Sequence, residues 1–357
     1  MKRFLLFGTI LFVFFSCSKE NLDKKEDQAF KISTESRSTI IPNLDSIVKM
    51  NAGAFLASNL TAQEIDSLIK VISTEHGKSN QTITAEGPEY TDWSGLLHLK
   101  YWYATTSQSH IPELSVSVGS DYVLVGGGAY TSGNNGFLTK SMPDEYLTTW
   151  TGKSKDHLTP NLHTLTVYAI GMKIDGVSSD YLRSKMQVFP AVSGKVNHPE
   201  TQVTIPSNYL LVGGGAWDYW EDDMGYGNML VSSYPYGSNT WKVSGKDHRR
   251  ADPSVIYAYA IGIENISFPN VGYLQVGYST GYSTTSGRLC TTTATVPTGW
   301  ALTGPGGLVV YNNPGYGRMI TSMYPYSTTT SYLGSRDSYY TDGGYQYVYA
   351  LRIQKAQ

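Results

Sequence analysis

Along most of the chain, apolar positions recur at every second residue. Leu97, Leu99, Tyr101 and Tyr103 alternate with other residues, as do Val116 and Val118, Tyr122 and Leu124, and Leu165, Val167 and Ala169. A strand turns successive side chains to opposite faces, so this period predicts half-buried β-strands. Breaks rich in Gly and Asn, such as Ser132-Gly133-Asn134-Asn135-Gly136 and Gly225-Tyr226-Gly227-Asn228, read as hairpin turns. A helical signature stands upstream. Thr61 and Glu64 form a capping box, Leu60 and Ile65 occupy staple positions, and Ile65, Leu68, Ile69 and Ile72 follow at helical spacing before Gly77. Joined to the apolar stretch from Leu44 to Ser58, it predicts a helical hairpin over residues 43–78.

The strand pattern is written three times. Asp121-Tyr-Val-Leu-Val-Gly-Gly-Gly-Ala129 returns as Asn208-Tyr-Leu-Leu-Val-Gly-Gly-Gly-Ala216, and more loosely as Gly299-Trp-Ala-Leu-Thr-Gly-Pro-Gly-Gly307. Ser141-Met-Pro143 answers to Ser233-Tyr-Pro235 and Met323-Tyr-Pro325, and Trp150 to Trp241 and Tyr332. Lys155-Asp156-His157 answers to Lys246-Asp247-His248 and Arg336-Asp337-Ser338, and Tyr168-Ala-Ile-Gly171 to Tyr259-Ala-Ile-Gly262 and Tyr349-Ala-Leu-Arg352. Five landmarks in one order, at offsets of 87 to 92 residues, define units over 95–175, 180–265 and 271–354. Each unit holds five or six antiparallel strands. One such sheet leaves an apolar face uncovered, so the copies are expected to pack into one pseudo-threefold body, prism- or propeller-like. Three tandem β-sandwiches, each closing its own core, are the alternative.

The first residues read as a processing signal. Lys2 and Arg3 precede a twelve-residue apolar run, Phe4 to Phe15, too short for the roughly 20 residues that span a bilayer. Phe14-Phe15-Ser16-Cys17 resembles a bacterial lipobox. The resemblance implies cleavage before Cys17, acylation of its new N-terminus and a lipid-anchored place in the cell envelope, most naturally the outer membrane, facing the periplasm or the surface. Two or three acyl chains anchor a protein essentially permanently. Residues 18–42, rich in Lys, Asp, Glu and Ser, bury too little to order themselves. As a flexible leash of some 25 residues they would span about 25–30 Å.

Composition narrows the functions. The 357 residues carry a formal net charge of −2, which falls to −4 once Lys2 and Arg3 leave with the leader. No basic field draws such a chain to nucleic acid. Two cysteines exclude a disulfide scaffold or a multi-cysteine metal site, and with Cys17 acylated, Cys290 is expected to be an inert core thiol.

The triple glycines lack the helix and Lys-Ser/Thr pair of a phosphate loop, and read as a β-bulge or a close approach of two backbones near the pseudo-axis. The Lys-Asp-His clusters carry the candidate ligand site: Trp150, Asp156 and His157 in the first copy, Trp241, Asp247 and His248 in the second. A carboxylate beside an aromatic ring suits a sugar, whose hydroxyls meet the one and whose C–H face meets the other. Structurally, Asp156 and Asp247 would instead tie down the amides of a neighbouring turn, with Lys and His solvated. In the third copy the spacing from Tyr332 to Asp337 is one residue short, which on a strand reverses faces and would spoil a site. Tyr234-Pro-Tyr236 and Tyr324-Pro-Tyr326 read as exposed stacking platforms or as edge-strand packing. The acidic stretch Asp218-Tyr-Trp-Glu-Asp-Asp223 reads as a solvated loop, with calcium binding as its alternative.

No hydrolase or kinase motif set appears, and repeated weak sites suit multivalent binding better than catalysis. The expectation is a non-enzymatic lipoprotein, without cofactor or metal, that binds glycan or another extracellular polymer. A structural or adhesive envelope protein and a hydrolase with one asymmetric site are the rivals.

Overall fold

A computed structural model describes residues 84–357 except 134–135, 158, 220–226, 286, 313–316 and 339–340. The leader, Cys17, the tether and the expected helical hairpin lie outside the described residues. The chain is all-β, folded into three antiparallel sheets. Two short strands, β1 (Ala85–Glu86) and β2 (Tyr90–Thr91), come first. Segment 95–175 then gives β3 (Leu97–Thr105), β4 (Glu113–Ser117), β5 (Val123–Thr131), β6 (Gly136–Pro143), β7 (Thr149–Asp156) and β8 (Leu165–Ile174). One helical turn and a half, α1 (Ser179–Ser184), is capped by Ser178 Oγ, which accepts from the Tyr181 amide at 3.2 Å.

The second segment gives β9 (Met186–Val192), β10 (Glu200–Thr204), β11 (Tyr209–Tyr219), β12 (Met229–Pro235), β13 (Thr240–Lys246) and β14 (Val255–Glu264). The third gives β15 (Leu274–Thr285), β16 (Leu289–Thr295), β17 (Ala301–Tyr311), β18 (Arg318–Pro325), β19 (Thr330–Asp337) and β20 (Gly344–Lys355).

No sheet belongs to one segment. The first runs β1-β3-β8-β5-β18-β19-β16 with β2 on β3, the second β4-β7-β6-β11-β14-β9, and the third β10-β13-β12-β17-β20-β15. Each segment thus sends its first, sixth and third strands into one sheet and its second, fifth and fourth into another. The tandem-sandwich alternative fails on this point, because every sheet is completed by a neighbouring segment. Each junction is short: Tyr130 and Ala129 face Ser322 and Met323, Ala216 and Trp217 face Ser141 and Lys140, and Ser232 and Ser233 face Leu308 and Gly307.

The glycine triplets sit where β5, β11 and β17 approach one another. A register shift precedes each, between Leu124 and Gly126, Leu211 and Gly213, and Leu302 and Gly304, so a bulge is present. A Cβ on Gly126 would collide with the Thr303 carbonyl oxygen, and one on Gly213 with the Val125 carbonyl oxygen. The circle closes through Thr303 Oγ1, which donates to the Val212 carbonyl at 2.6 Å. Both features expected of the triplets, bulge and backbone approach, occur together. Around them one apolar core gathers Val125, Val212, Leu302 and their neighbours from all three segments, and a smaller cluster joins Phe137, Met229, Val231 and Met319.

Candidate functional site

The residues singled out for ligand binding are mostly interior. Trp150 and Trp241 are 1% and 0% exposed. Each indole N–H donates to a serine hydroxyl at 3.0 Å, Ser141 and Ser233 respectively. Each ring lies against the middle glycine of a triplet, where a Cβ on Gly127 or Gly214 would strike it. Neither ring offers a face to a ligand, so the expected aromatic-plus-carboxylate grip is corrected here.

Pairing also settles the third segment. Pro143 faces Trp150, Pro235 faces Trp241, and Pro325 faces Ser331, so Ser331 and not Tyr332 holds the tryptophan position. The expected one-residue slip therefore does not exist. Here Pro305 replaces the middle glycine and Met323 the serine, and the large ring has given way to a small side chain.

The three aspartates do one structural job. Asp156 Oδ2 accepts from the Asn161 amide at 2.7 Å, Asp247 Oδ2 from the Asp252 amide at 3.1 Å, and Asp337 Oδ2 from the Asp342 amide at 3.1 Å. Each thus ties down a turn, the structural role weighed for them from sequence. A cationic or imidazole partner completes each: His110 at 2.6 Å, His198 at 2.9 Å and Arg318 at 2.9 Å.

Nor are the lysines and histidines solvated, as the structural reading had them. Lys155, Lys246, His157 and His248 are all buried. Lys246 Nζ stands 4.4 Å over the Tyr311 ring, and burial pushes its pKa down to about 8. His157 Nε2 lies 3.0 Å from His248 Nδ1. Asp218 is no part of a solvated loop either. It is fully buried, accepts from the Ser254 hydroxyl, and burial pushes its pKa up to about 8. Residues 220–223 of that stretch lie outside the described residues. Cys290 stands half-buried on edge strand β16 rather than in the core. Among the described residues no cluster of three or more His, Cys, Asp or Glu side chains could hold a metal ion.

What the sheets turn to solvent is tyrosine. On the first sheet Tyr103 stacks on Tyr168 at 5.6 Å and 23°, and Tyr168 on Tyr324 at 5.2 Å and 24°. Tyr324 continues to Tyr332 at 5.1 Å, and Tyr332 to Tyr326 at 6.0 Å and 22°. Tyr326 is 62% exposed, and Tyr130, 5.5 Å from Tyr324, is also exposed. The row therefore crosses from β3 through β8, β5 and β18 to β19, over the junction between the first and third segments. Gly128 makes the crossing possible. It pairs with Tyr168 and abuts Tyr324 Cα, so the two rings meet above a position without a side chain.

The third sheet repeats the arrangement. Tyr349 stacks on Tyr234, itself only 8% exposed, at 5.4 Å and 25°, next to Gly306, with Tyr236, Tyr278, Tyr282 and Tyr345 exposed around them. In the second sheet Tyr259 lies across Gly215 from Met142, so no stack crosses the junction; its aromatic row, Tyr259 on Tyr257 at 6.4 Å and 19° and Tyr257 on Trp217 at 5.4 Å and 25°, stays within one segment. Burial raises the pKa of Tyr168 and Tyr349 to about 12, so the hydroxyls stay protonated donors at neutral pH.

Tyr168, Tyr324 and Tyr332 stand in the sequence as repeat landmarks, yet the repeat pattern gave the ligand to the tryptophans and aspartates. The available signal was the recurrence of Tyr in Tyr-Ala-Ile/Leu in all three segments and in Tyr-Pro in two, downstream of each glycine-rich stretch. The chain matches no family model and no curated protein sequence.

Proposed function

We propose that this chain is a non-enzymatic glycan-binding protein of the bacterial envelope, held to a membrane by acyl chains on Cys17. Its three segments are copies of one module set about a pseudo-threefold axis as a three-faced prism. The common strand order, the common bulge and the circular glycine contacts support that reading of the fold. The exposed tyrosine rows, not the Trp150, Asp156, His157, Trp241, Asp247 and His248 clusters, contact the ligand. Tyrosine presents an apolar face to sugar C–H groups and a hydroxyl to sugar oxygens, at little entropic cost on ordering. The single observation that carries the reading is the Tyr168–Tyr324 stack, completed across a junction between two segments and left open to solvent at Tyr326.

The test is retention of the mature chain on a panel of immobilised polysaccharides, with Tyr326→Ala and Tyr332→Ala alongside wild type. Retention of wild type and weaker retention of the variants is expected. Equal retention of all three proteins would overturn the assignment.

One observation favours the rival of a structural or adhesive envelope protein: the tryptophans, aspartates and glycines of the repeat all serve the fold. Under that reading no polysaccharide retains the wild type, and the tyrosine rows meet protein instead.

A further inference from the structure

We infer that the chain carries two sites for uncharged oligosaccharide, one on the first sheet and one on the third, and that the second sheet has none. The inference rests on the glycan reading above and says which faces act and what chemistry they select.

Equivalent positions at the three junctions carry the count. Across Gly128 the first sheet sets Tyr168 against Tyr324, and across Gly306 the third sets Tyr349 against Tyr234. Across Gly215 the second sets Tyr259 against Met142, which has no ring. The second sheet's aromatic residue nearest its junction, Trp217, is occupied from within the chain. Lys140 Nζ stands 4.3 Å over its ring and is held there by Glu113 at 2.6 Å. A cation over the ring face takes the place a sugar would need.

Charge sets the class. The rings of Tyr168 and Tyr324 pack against other tyrosines: Tyr101, Tyr103, Tyr130, Tyr326 and Tyr332. Phosphate, sulfate or uronate recognition calls on Arg or Lys donors, and among the described residues none stands over a ring of this row. On the third sheet Lys242 Nζ, held by Glu200 at 2.8 Å, stands 5.7 Å over the Tyr236 ring, which by the same rule takes Tyr236 out of the row and leaves Tyr349, Tyr278, Tyr282 and Tyr345. Both rows therefore suit a neutral chain. Length follows from the strands: from β3 to β19 is four strand spacings of about 4.8 Å, or roughly 19 Å, longer than a single sugar. Because the rows lie on different sheets, one protein molecule can hold two polymer segments, and linked sites raise avidity without new contacts.

The test is calorimetric titration of the full mature chain, with Cys17→Ser to remove the lipid, by four neutral hexasaccharides: cellohexaose, xylohexaose, mannohexaose and maltohexaose. Oligogalacturonate is the charged comparison. Tyr324→Met and Tyr234→Met copy the residue that the second sheet itself carries at this place, so a folded protein is expected and is checked by its melting curve. Two equivalents of the best neutral hexasaccharide should bind wild type, one should bind either variant, and none the double variant. Trp217→Ala should leave two.

One or three equivalents in wild type, full stoichiometry in the double variant, or binding of oligogalacturonate as tight as that of the neutral sugar would overturn the inference while leaving glycan binding standing. If neither wild type nor any variant binds a neutral hexasaccharide, the glycan reading itself falls and the two-site count with it.

Discussion

His157 and His248 meet edge to face, with Nε2 of the first 3.0 Å from Nδ1 of the second, although the residues stand 91 apart in the chain. Each is 1% exposed. Burial, aided by the charges of Lys246 and Arg249, pushes the His248 pKa down to about 4 from its ordinary 6.5. Between those values the unfolded chain binds a proton that the folded chain refuses, so stability falls as pH drops from about 6.5 towards 4. Calorimetric melting at pH 7, 6 and 5 should show a falling melting temperature, and His248→Gln should flatten the fall. Parallel curves for the two proteins would contradict this assignment.

Asp218 works in the other direction. Its carboxyl, ordinarily near 3.8, is raised to about 8 chiefly by burial. Between these values the folded chain keeps a proton that the unfolded chain has released, and stability falls as pH rises through that window. Asp218→Asn retains an acceptor for the Ser254 hydroxyl and removes the titration. The variant should melt higher than wild type at pH 8, with a gap that narrows towards pH 5. A gap independent of pH would show that the carboxyl does not titrate where it is placed here.

Among the described residues Arg318 and Asp337 form the most enclosed of the ion pairs seen, with side chains 0% and 1% exposed. Arg318 also donates to the carbonyls of Gly287, Arg288 and Ser335 at 2.6, 3.0 and 3.2 Å. Removing one partner of a buried pair leaves a bare charge and costs about 3–5 kcal/mol. Urea unfolding of Arg318→Met should register a loss of that order. Truncation of Glu86, an exposed carboxylate paired with Lys100, should cost far less in the same measurement.

Much of this architecture was legible in the chain. Period-two alternation identified the strands, and the glycine triplets identified the bulged strands that approach one another at the centre, since only a residue without Cβ fits against another backbone. Less legible was how strands are shared among sheets, because pairing between segments is fixed at a few junction positions such as Ser322 with Tyr130, and leaves no periodic trace. The site was misplaced for a related reason. Trp150 and Trp241, and Asp156, Asp247 and Asp337, all lie buried, and recurrence alone does not tell an inner landmark from an outer one. In the third segment Tyr332 resembles Trp150 more than Ser331 does, although Ser331 is the residue that faces Pro325 as Trp150 faces Pro143. The exchange becomes visible only when Pro305 is seen in the place of Gly127, leaving no room for an indole.

The most direct test of the account sets an outward ring against an inward one. Tyr324→Met and Trp150→Phe should be compared for affinity to the neutral polysaccharide that retains wild type, at a temperature where both are folded. The expected result is binding weakened by at least tenfold in Tyr324→Met with its melting temperature nearly kept, and full affinity in Trp150→Phe with its melting temperature lowered. Full affinity in Tyr324→Met together with loss of binding in folded Trp150→Phe would return the site to the interior clusters and contradict the account.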